Sequence, residues 1–94
     1  MMVHDINFNN PDDEGLVVGN VFFPNRYAIS LLTHPNMTGY ELVFCIQNKD
    51  NADVWLAEMD DQLLTISPEN NLIGQTEEQV NNYINLVENL LIKY

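Results

Sequence analysis

An apolar stripe near the C-terminus constrains this sequence more than any other feature. Seven apolar residues fall at positions i, i+3, i+4, i+7, i+10, i+11 and i+14, namely Val80, Tyr83, Ile84, Val87, Leu90, Leu91 and Tyr94. This spacing predicts an amphipathic helix over residues 76–93 with one apolar face. The preceding segment, Thr76-Glu77-Glu78-Gln79, matches a capping box, with acidic residues favourably placed against the helix dipole. Such a helix needs an apolar surface to pack against, which the rest of the chain must supply.

The residues ahead of this helix alternate between larger and smaller or more polar side chains in short segments bounded by turn residues. This pattern predicts strands at residues 2–8, 16–23, 27–32, 40–47, 54–59 and 62–66. Gly19 lies inside the second of these and predicts a bulge or a close backbone approach. The resulting expectation is an α+β fold: an antiparallel β-meander of four to six strands with one C-terminal amphipathic helix packed on one face. The other face is then left open, or paired with something else.

The length of the chain limits how many units it can form. Ninety-four residues, with an apolar fraction of 46%, are enough for one ordinary globular domain. They are too few for the doubly wound or barrel frames on which many enzymes are built. We therefore predict a single domain spanning residues 1–94.

Charge is the most unusual property of the composition. Fourteen Asp and Glu residues against three Lys and Arg residues give a formal net charge of -11. A charge of this sign repels nucleic acid and anionic lipid and attracts cationic surfaces. We expect no direct binding of nucleic acid and no association with a membrane. The partner that this composition favours is a basic protein.

The cysteine content and the start of the chain both favour the cytoplasm. A single cysteine, Cys45, cannot form an internal disulfide, so nothing here requires an oxidising compartment. The first eight residues contain no basic region followed by an apolar run, and no later run reaches the ~20 apolar residues of a membrane span. We therefore expect a cytoplasmic protein.

The residues that could carry catalysis are sparse. Cys45, His4 and His34 are the main candidates for a nucleophile or a base, and no glycine-rich phosphate loop is present. Residues 48–53 resemble a calcium loop only faintly, because Asp53 stands where a glycine is needed and Met59 where a bidentate glutamate is needed. One cysteine and two distant histidines do not match a zinc motif. We predict neither enzymatic activity, nor a cofactor, nor a metal site.

Acidic residues in the predicted turns are the remaining candidates for a functional surface. The predicted partner-binding residues are Asp12, Asp13, Glu14, Asp50, Asp53, Glu58, Asp60 and Asp61. Asp60 and Asp61 are placed in a tight hairpin between residues 54–59 and 62–66, which would project both carboxylates together. The simpler interpretation is a solvated surface, since turns favour Asp and helix starts favour Glu for local reasons. The excess of acidic over basic residues argues against solubility alone.

Two classes of function fit an acidic, compact domain of this kind. The first is an inhibitor that neutralises a cationic, nucleic-acid-acting protein by occupying its basic surface, as a toxin-immunity protein does. A phage-encoded anti-CRISPR or anti-restriction inhibitor that mimics DNA would share this charge. The second is a housekeeping interaction module, a chaperone or a complex subunit, which would use an apolar sheet face with residues such as Trp55. The far face of the sheet is left short of cover, so a homodimer is a further expectation.

Overall fold

The computed structural model describes residues 2–94 and has the predicted α+β fold. A short 3₁₀ turn at Val3–Asp5 precedes five strands and two helices. These are β1 (Val17–Phe22), β2 (Tyr27–Thr33), β3 (Tyr40–Gln47), β4 (Trp55–Leu56), α1 (Asp61–Leu64), β5 (Asn71–Gln75) and α2 (Glu77–Glu88). No helix among the described residues is long and apolar enough to cross a lipid bilayer.

The strands form one antiparallel sheet with β3 as its hub. β1 pairs with β2 and β2 pairs with β3, so the first three strands form the predicted meander. The outer edge of β3 is shared by two strands: β4 pairs with its last residues, and β5 pairs with its first half. This arrangement gives the sheet two ends. One holds the β1–β2 turn and the β3–β4 loop, and the other holds the β2–β3 turn and the start of β1.

The core lies between one face of the sheet and α2. Tyr27, Ile29 and Leu31 from β2 are fully buried, as the alternation in this strand predicts. α2 contributes Val80, Ile84 and Val87, which are also fully buried. The remaining buried hydrophobic residues are Val3, Ile6, Val21, Phe23, Ala28, Leu42, Phe44, Ile46 and Leu63. The helical stripe and the strand alternation therefore meet in one core.

The predicted capping box at the start of α2 is confirmed, but the helix ends earlier than predicted. The Thr76 side chain accepts from the Gln79 N–H at 3.1 Å, and Gln79 Oε1 accepts from the Thr76 N–H at 2.8 Å. The helix ends at Glu88 instead of residue 93. Asn25, buried in the β1–β2 turn, donates its side-chain amide to the carbonyls of Val87 and Leu90. These bonds satisfy carbonyls at the helix end, and the chain continues as a tail that is neither helix nor strand.

The predicted first strand, residues 2–8, is wrong. Val3 and Ile6 are both buried, and their separation of three residues suits a helical turn better than a strand. The Asp5 carboxylate accepts from the Met2 N–H at 3.0 Å, which stabilises this turn. Of residues 2–8, Phe8 alone pairs with the sheet, through an isolated bridge to Gly19. A Cβ at Gly19 would lie 2.7 Å from Phe8 Cδ1, so the predicted close approach at this glycine is confirmed.

The predicted hairpin at residues 60–61 is also wrong, together with the strand at 62–66. Asp60 is the N-cap of α1, and its carboxylate accepts from the Leu63 N–H at 2.9 Å. Side-chain capping of this kind starts a helical turn, which buries Leu63 in the core. The fifth strand instead forms at Asn71–Gln75, a segment for which no strand was predicted.

Candidate functional site

The carboxylates form the most extensive candidate surface. Only Glu41 and Asp60 are half-buried, and all the other Asp and Glu residues are exposed. Lys93 Nζ lies 2.9 Å from Asp60 Oδ2, and among residues 2–94 no other lysine or arginine lies within ion-pair distance of a carboxylate. Apart from Asp5, whose Oδ1 lies 3.5 Å from His4 Nε2, the exposed carboxylates therefore have no basic side chain of residues 2–94 within ion-pair distance.

The first predicted acidic group lies in the loop that leads into β1. Asp12 Oδ1 accepts from the backbone N–H of Glu14 at 2.9 Å and of Leu16 at 2.8 Å. This carboxylate therefore orders the loop, and Asp12, Asp13 and Glu14 are all exposed. The same loop borders a groove of about 310 Å³ lined by Pro11, Gly15, Val17, Thr33, His34 and Pro35.

The second predicted acidic group lies in the β3–β4 loop. Asn48 Oδ1 accepts from the N–H groups of Asp50 and Asn51 at 2.7 and 3.0 Å. Asn51 Oδ1 in turn accepts from the Asp53 N–H at 3.0 Å. Amide side chains therefore hold this loop, and the carboxylates of Asp50 and Asp53 remain exposed. Lys49, also exposed, places a positive charge in the same loop.

The eight predicted residues do not form one continuous patch. Asp12, Asp13 and Glu14 precede β1, whereas Asp50 and Asp53 follow β3 at the opposite end of the sheet. The seven residues of β2 connect these ends and span ~20 Å at about 3.3 Å per residue. Glu58 and Asp61 are exposed beyond β4. The sequence identified exposed acidic loops correctly, but their separation depends on the strand topology.

Asp60 does not project from a hairpin as predicted, and it is half-buried. Its carboxylate accepts from Tyr27 Oη and from the Leu63 N–H, and it pairs with Lys93. Burial alone would raise the pKa of Asp60, but these hydrogen bonds and the lysine hold that pKa below its ordinary value. Burial and the neighbouring carboxylate raise the pKa of Tyr27, which keeps its hydroxyl protonated. Asp60 therefore points into the structure instead of projecting beside Asp61.

Gln62 completes this polar network and fixes the tail that follows α2. Its Oε1 accepts from the Leu91 N–H at 2.9 Å, and its Nε2 donates to the Leu91 carbonyl at 2.9 Å and to Tyr27 Oη at 2.8 Å. The Lys93 N–H donates to the Asn25 carbonyl at 2.9 Å. The tail is therefore bound to α1 and to the β1–β2 turn, which assigns the network a structural role.

The face of the sheet away from α2 is a second candidate surface. Phe22 and Trp55 lie on it with their ring centroids 4.9 Å apart, and Phe22 is 57% exposed. Ala28, the strand partner of Phe22, is buried. Cys45 is half-buried on the same face, and burial raises the pKa of its thiol. Phe22 and Trp55 are not part of the main core, whereas the next residue in the chain, Phe23, is.

Two charged residues of this face were missed as candidates in the sequence. Glu41 occupies an outward position of β3, and its Oε1 accepts from Asn71 Nδ2 at 2.9 Å. Arg26 Nη1 donates to Gln47 Oε1 at 2.9 Å, at the other end of the same strand face. The alternation in β3 places Glu41 and Gln47 on one face. This pattern in the sequence could have identified Glu41 as a residue of the open face. The position of Arg26 depends on its turn, where φ is 78°.

The residues considered for catalysis or metal binding are dispersed. His4 Nε2 lies 3.5 Å from Asp5 Oδ1 in the 3₁₀ turn, where both residues are exposed. His34 Nδ1 accepts from the Asn36 N–H at 3.0 Å in the β2–β3 turn. Across residues 2–94, no three His, Cys, Asp or Glu side chains are grouped so that they could hold a metal ion.

Comparisons with protein-family models, with curated proteins and with solved structures found no match to this chain.

Proposed function

We propose that this protein is a cytoplasmic, non-catalytic inhibitor that binds a cationic, nucleic-acid-acting protein, as a toxin-immunity protein does. The observation that carries the proposal is the set of exposed carboxylates, none of which has a lysine or arginine within ion-pair distance among residues 2–94. A nucleic-acid-binding cleft is basic because it contacts phosphates. A domain of net charge -11 is attracted to such a cleft and competes there with the nucleic acid.

The two acidic loops supply the contacts in this proposal. Asp13 and Glu14 lie at one end of the sheet, and Asp50 and Asp53 lie at the other, ~20 Å away. Hydrogen bonds to Asp12, Asn48 and Asn51 order both loops, which lowers the conformational entropy lost on binding. A phage-encoded anti-CRISPR or anti-restriction inhibitor would use the same surface as a mimic of DNA phosphates, against a different target.

A second candidate function rests on the open sheet face. The exposed Phe22 ring against Trp55 is the kind of aromatic cluster that anchors protein interfaces. A housekeeping interaction module, a chaperone or a complex subunit would use this face more than the acidic loops. The two functions differ in how partner binding responds to salt and to which residues are changed.

The test begins with a loop variant that neutralises four carboxylates: Asp13→Asn, Glu14→Gln, Asp50→Asn and Asp53→Asn. A matched control neutralises four exposed carboxylates elsewhere, Glu69→Gln, Glu77→Gln, Glu78→Gln and Glu88→Gln. Asp12 and Asp60 stay unchanged because they hold the structure. Basic proteins captured from host lysate by the unmodified protein are identified, and association with each is measured by surface plasmon resonance.

We expect the loop variant to lower the association rate constant more than the control does. Because the two variants carry the same net charge, a difference between them reports the position of the carboxylates. Raising the ionic strength from about 0.05 to about 0.5 M shortens the Debye length from about 14 to about 4 Å and should slow association by about tenfold or more. The captured protein should also lose nucleic-acid binding when this protein is added. Association that is independent of salt, with affinity lost on Trp55→Ala, would support the interaction module instead.

A further inference from the structure

The open face of the sheet carries little negative charge, although the chain has a net charge of -11. Its exposed or half-buried apolar side chains include Val18, Phe22, Leu32, Val43, Cys45 and Trp55. Although the chain has fourteen carboxylates, Glu41 is the only one on the strand positions of this face. Both described helices contribute their buried residues to the core on the other side. The acidic loops proposed to meet a basic protein lie at the ends of the sheet.

The charges that the face does carry lie at opposite ends of it. Glu41 is held at one end by Asn71, and Arg26 is held at the other by Gln47. Glu41 and Gln47 are six residues apart on β3, a distance of ~20 Å along the strand. One anion and one cation therefore flank the face. Its middle row is Asn20, Ser30, Val43 and Asn71, and its other apolar side chains lie on either side of that row.

We infer that this face is the interface between two copies of the chain packed sheet against sheet. A two-fold axis that lies in the plane of the interface, perpendicular to the strands, places the Glu41 end of one copy over the Arg26 end of the other. The face then becomes self-complementary, with two equivalent Glu41–Arg26 pairs around a polar middle row and the apolar side chains on either side of it. An axis parallel to the strands would bring like ends together and is disfavoured by charge.

A second copy suits this face better than a basic protein does, because a basic protein would find little negative charge on it. The face measures ~20 by ~20 Å, from strand spacings of about 4.8 Å and rises of about 3.3 Å, so the dimer buries about 800 Å² in total and is a weak one, below the ~1,200 Å² of stable interfaces. The remaining carboxylates lie on loops and helices, where repulsion between copies is screened beyond about 8 Å at physiological ionic strength. The inference is independent of the proposed inhibitor role, since the acidic loops stay exposed in the dimer.

Sedimentation equilibrium of the full chain, from about 1 to about 500 μM in about 0.15 M salt, tests the interface. We expect the mass to rise with concentration from 10.8 kDa to twice that value. Glu41→Arg and Arg26→Glu should each weaken association by about tenfold or more, because each creates two repulsive pairs. Phe22→Asp should abolish association. The matched control Glu77→Arg, on α2, should leave association unchanged.

The arrangement of the two copies is tested by mixing the charge variants. Equimolar Glu41→Arg and Arg26→Glu should form a heterodimer, seen as a mixed species in native mass spectrometry, and the double variant should dimerise by itself. Circular dichroism of each variant establishes that it is folded. A folded protein that stays monomeric at every concentration overturns the interface. If the single variants weaken association and mixing them does not restore it, the proposed axis is overturned. If the protein is monomeric and Phe22→Asp abolishes its binding to a basic partner, the face belongs to that partner instead.

Discussion

At the level of single residues, Asp60 and Asp61 have the same charge and adjacent positions but different surroundings. The Asp60 carboxylate is bonded to Tyr27, Leu63 and Lys93, whereas Asp61 is exposed in the first turn of α1. We expect Asp60→Asn to lower the free energy of unfolding by about 2 kcal/mol, because hydrogen bonds to a charged group are lost. Asp61→Asn, the matched control, should cost about 0.5 kcal/mol or less. Urea denaturation of both variants measures the difference, and equal costs would contradict the network.

The same network predicts a dependence on pH. Because the folded pKa of Asp60 is depressed, its stabilisation is present above the ordinary value of 3.8 and is lost as the pH falls through the lower folded value. The unfolding free energies of the unmodified protein and Asp60→Asn should therefore converge below about pH 4, when measured from about pH 7 downward. A difference between the two unfolding free energies that stays constant across this range would mean that the charge of Asp60 does not contribute to stability.

At the level of elements, α2 and the tail divide the predicted apolar stripe into two parts. Ile84 is fully buried in the core, whereas Leu91 lies beyond the helix and is 78% exposed. Ile84→Ala should cost about 2 to 5 kcal/mol through lost burial and the cavity left behind, and Leu91→Ala about 0.5 kcal/mol or less. Thr76→Ala should cost about 1 kcal/mol as a lost cap. Chemical denaturation checks the order, and similar losses at Ile84 and Leu91 would contradict this division.

The elements that the sequence predicted well are those in which a periodic pattern extends over many residues. β3 and α2 are of this kind, and the capping box marks the start of α2 to the residue. Residues 2–8 and 62–66 are too short for periodicity to separate strand from helical turn. Their conformations depend on side-chain bonds of Asp5 and Asp60, which no local pattern announces.

The same limit applies to the candidate surface. Exposure of the acidic loops follows from their composition, and the structure places them on the surface as predicted. The inward position of Asp60 could not be predicted, because its partners Tyr27 and Lys93 lie far from it in the sequence. The separation of the two loops depends on which strands are paired.

At the level of the whole molecule, unpaired carboxylates should make stability depend on salt. Repulsion among them opposes the compact state, and screening by salt reduces that repulsion. Raising the sodium chloride concentration from about 0.02 to about 0.2 M should increase the unfolding free energy by about 1 kcal/mol. The variant Asp13→Lys with Asp50→Lys should be more stable at low salt and respond less. Stability that is independent of salt in the unmodified protein would contradict this account.

The edges of the sheet affect whether this protein aggregates at high concentration. The free edge of β1 is covered where the Asn9 side chain accepts from the Val18 N–H and the Asn9 N–H donates to the Val18 carbonyl. On β3, in the stretch between β4 and β5, the Asn70 side-chain amide donates to the Phe44 carbonyl and the Asn70 carbonyl accepts from the Phe44 N–H. Open strand edges are templates for aggregation, and here polar side chains occupy two stretches of them. Asn9→Ala should expose one such template and increase the formation of β-rich aggregates in concentrated solution.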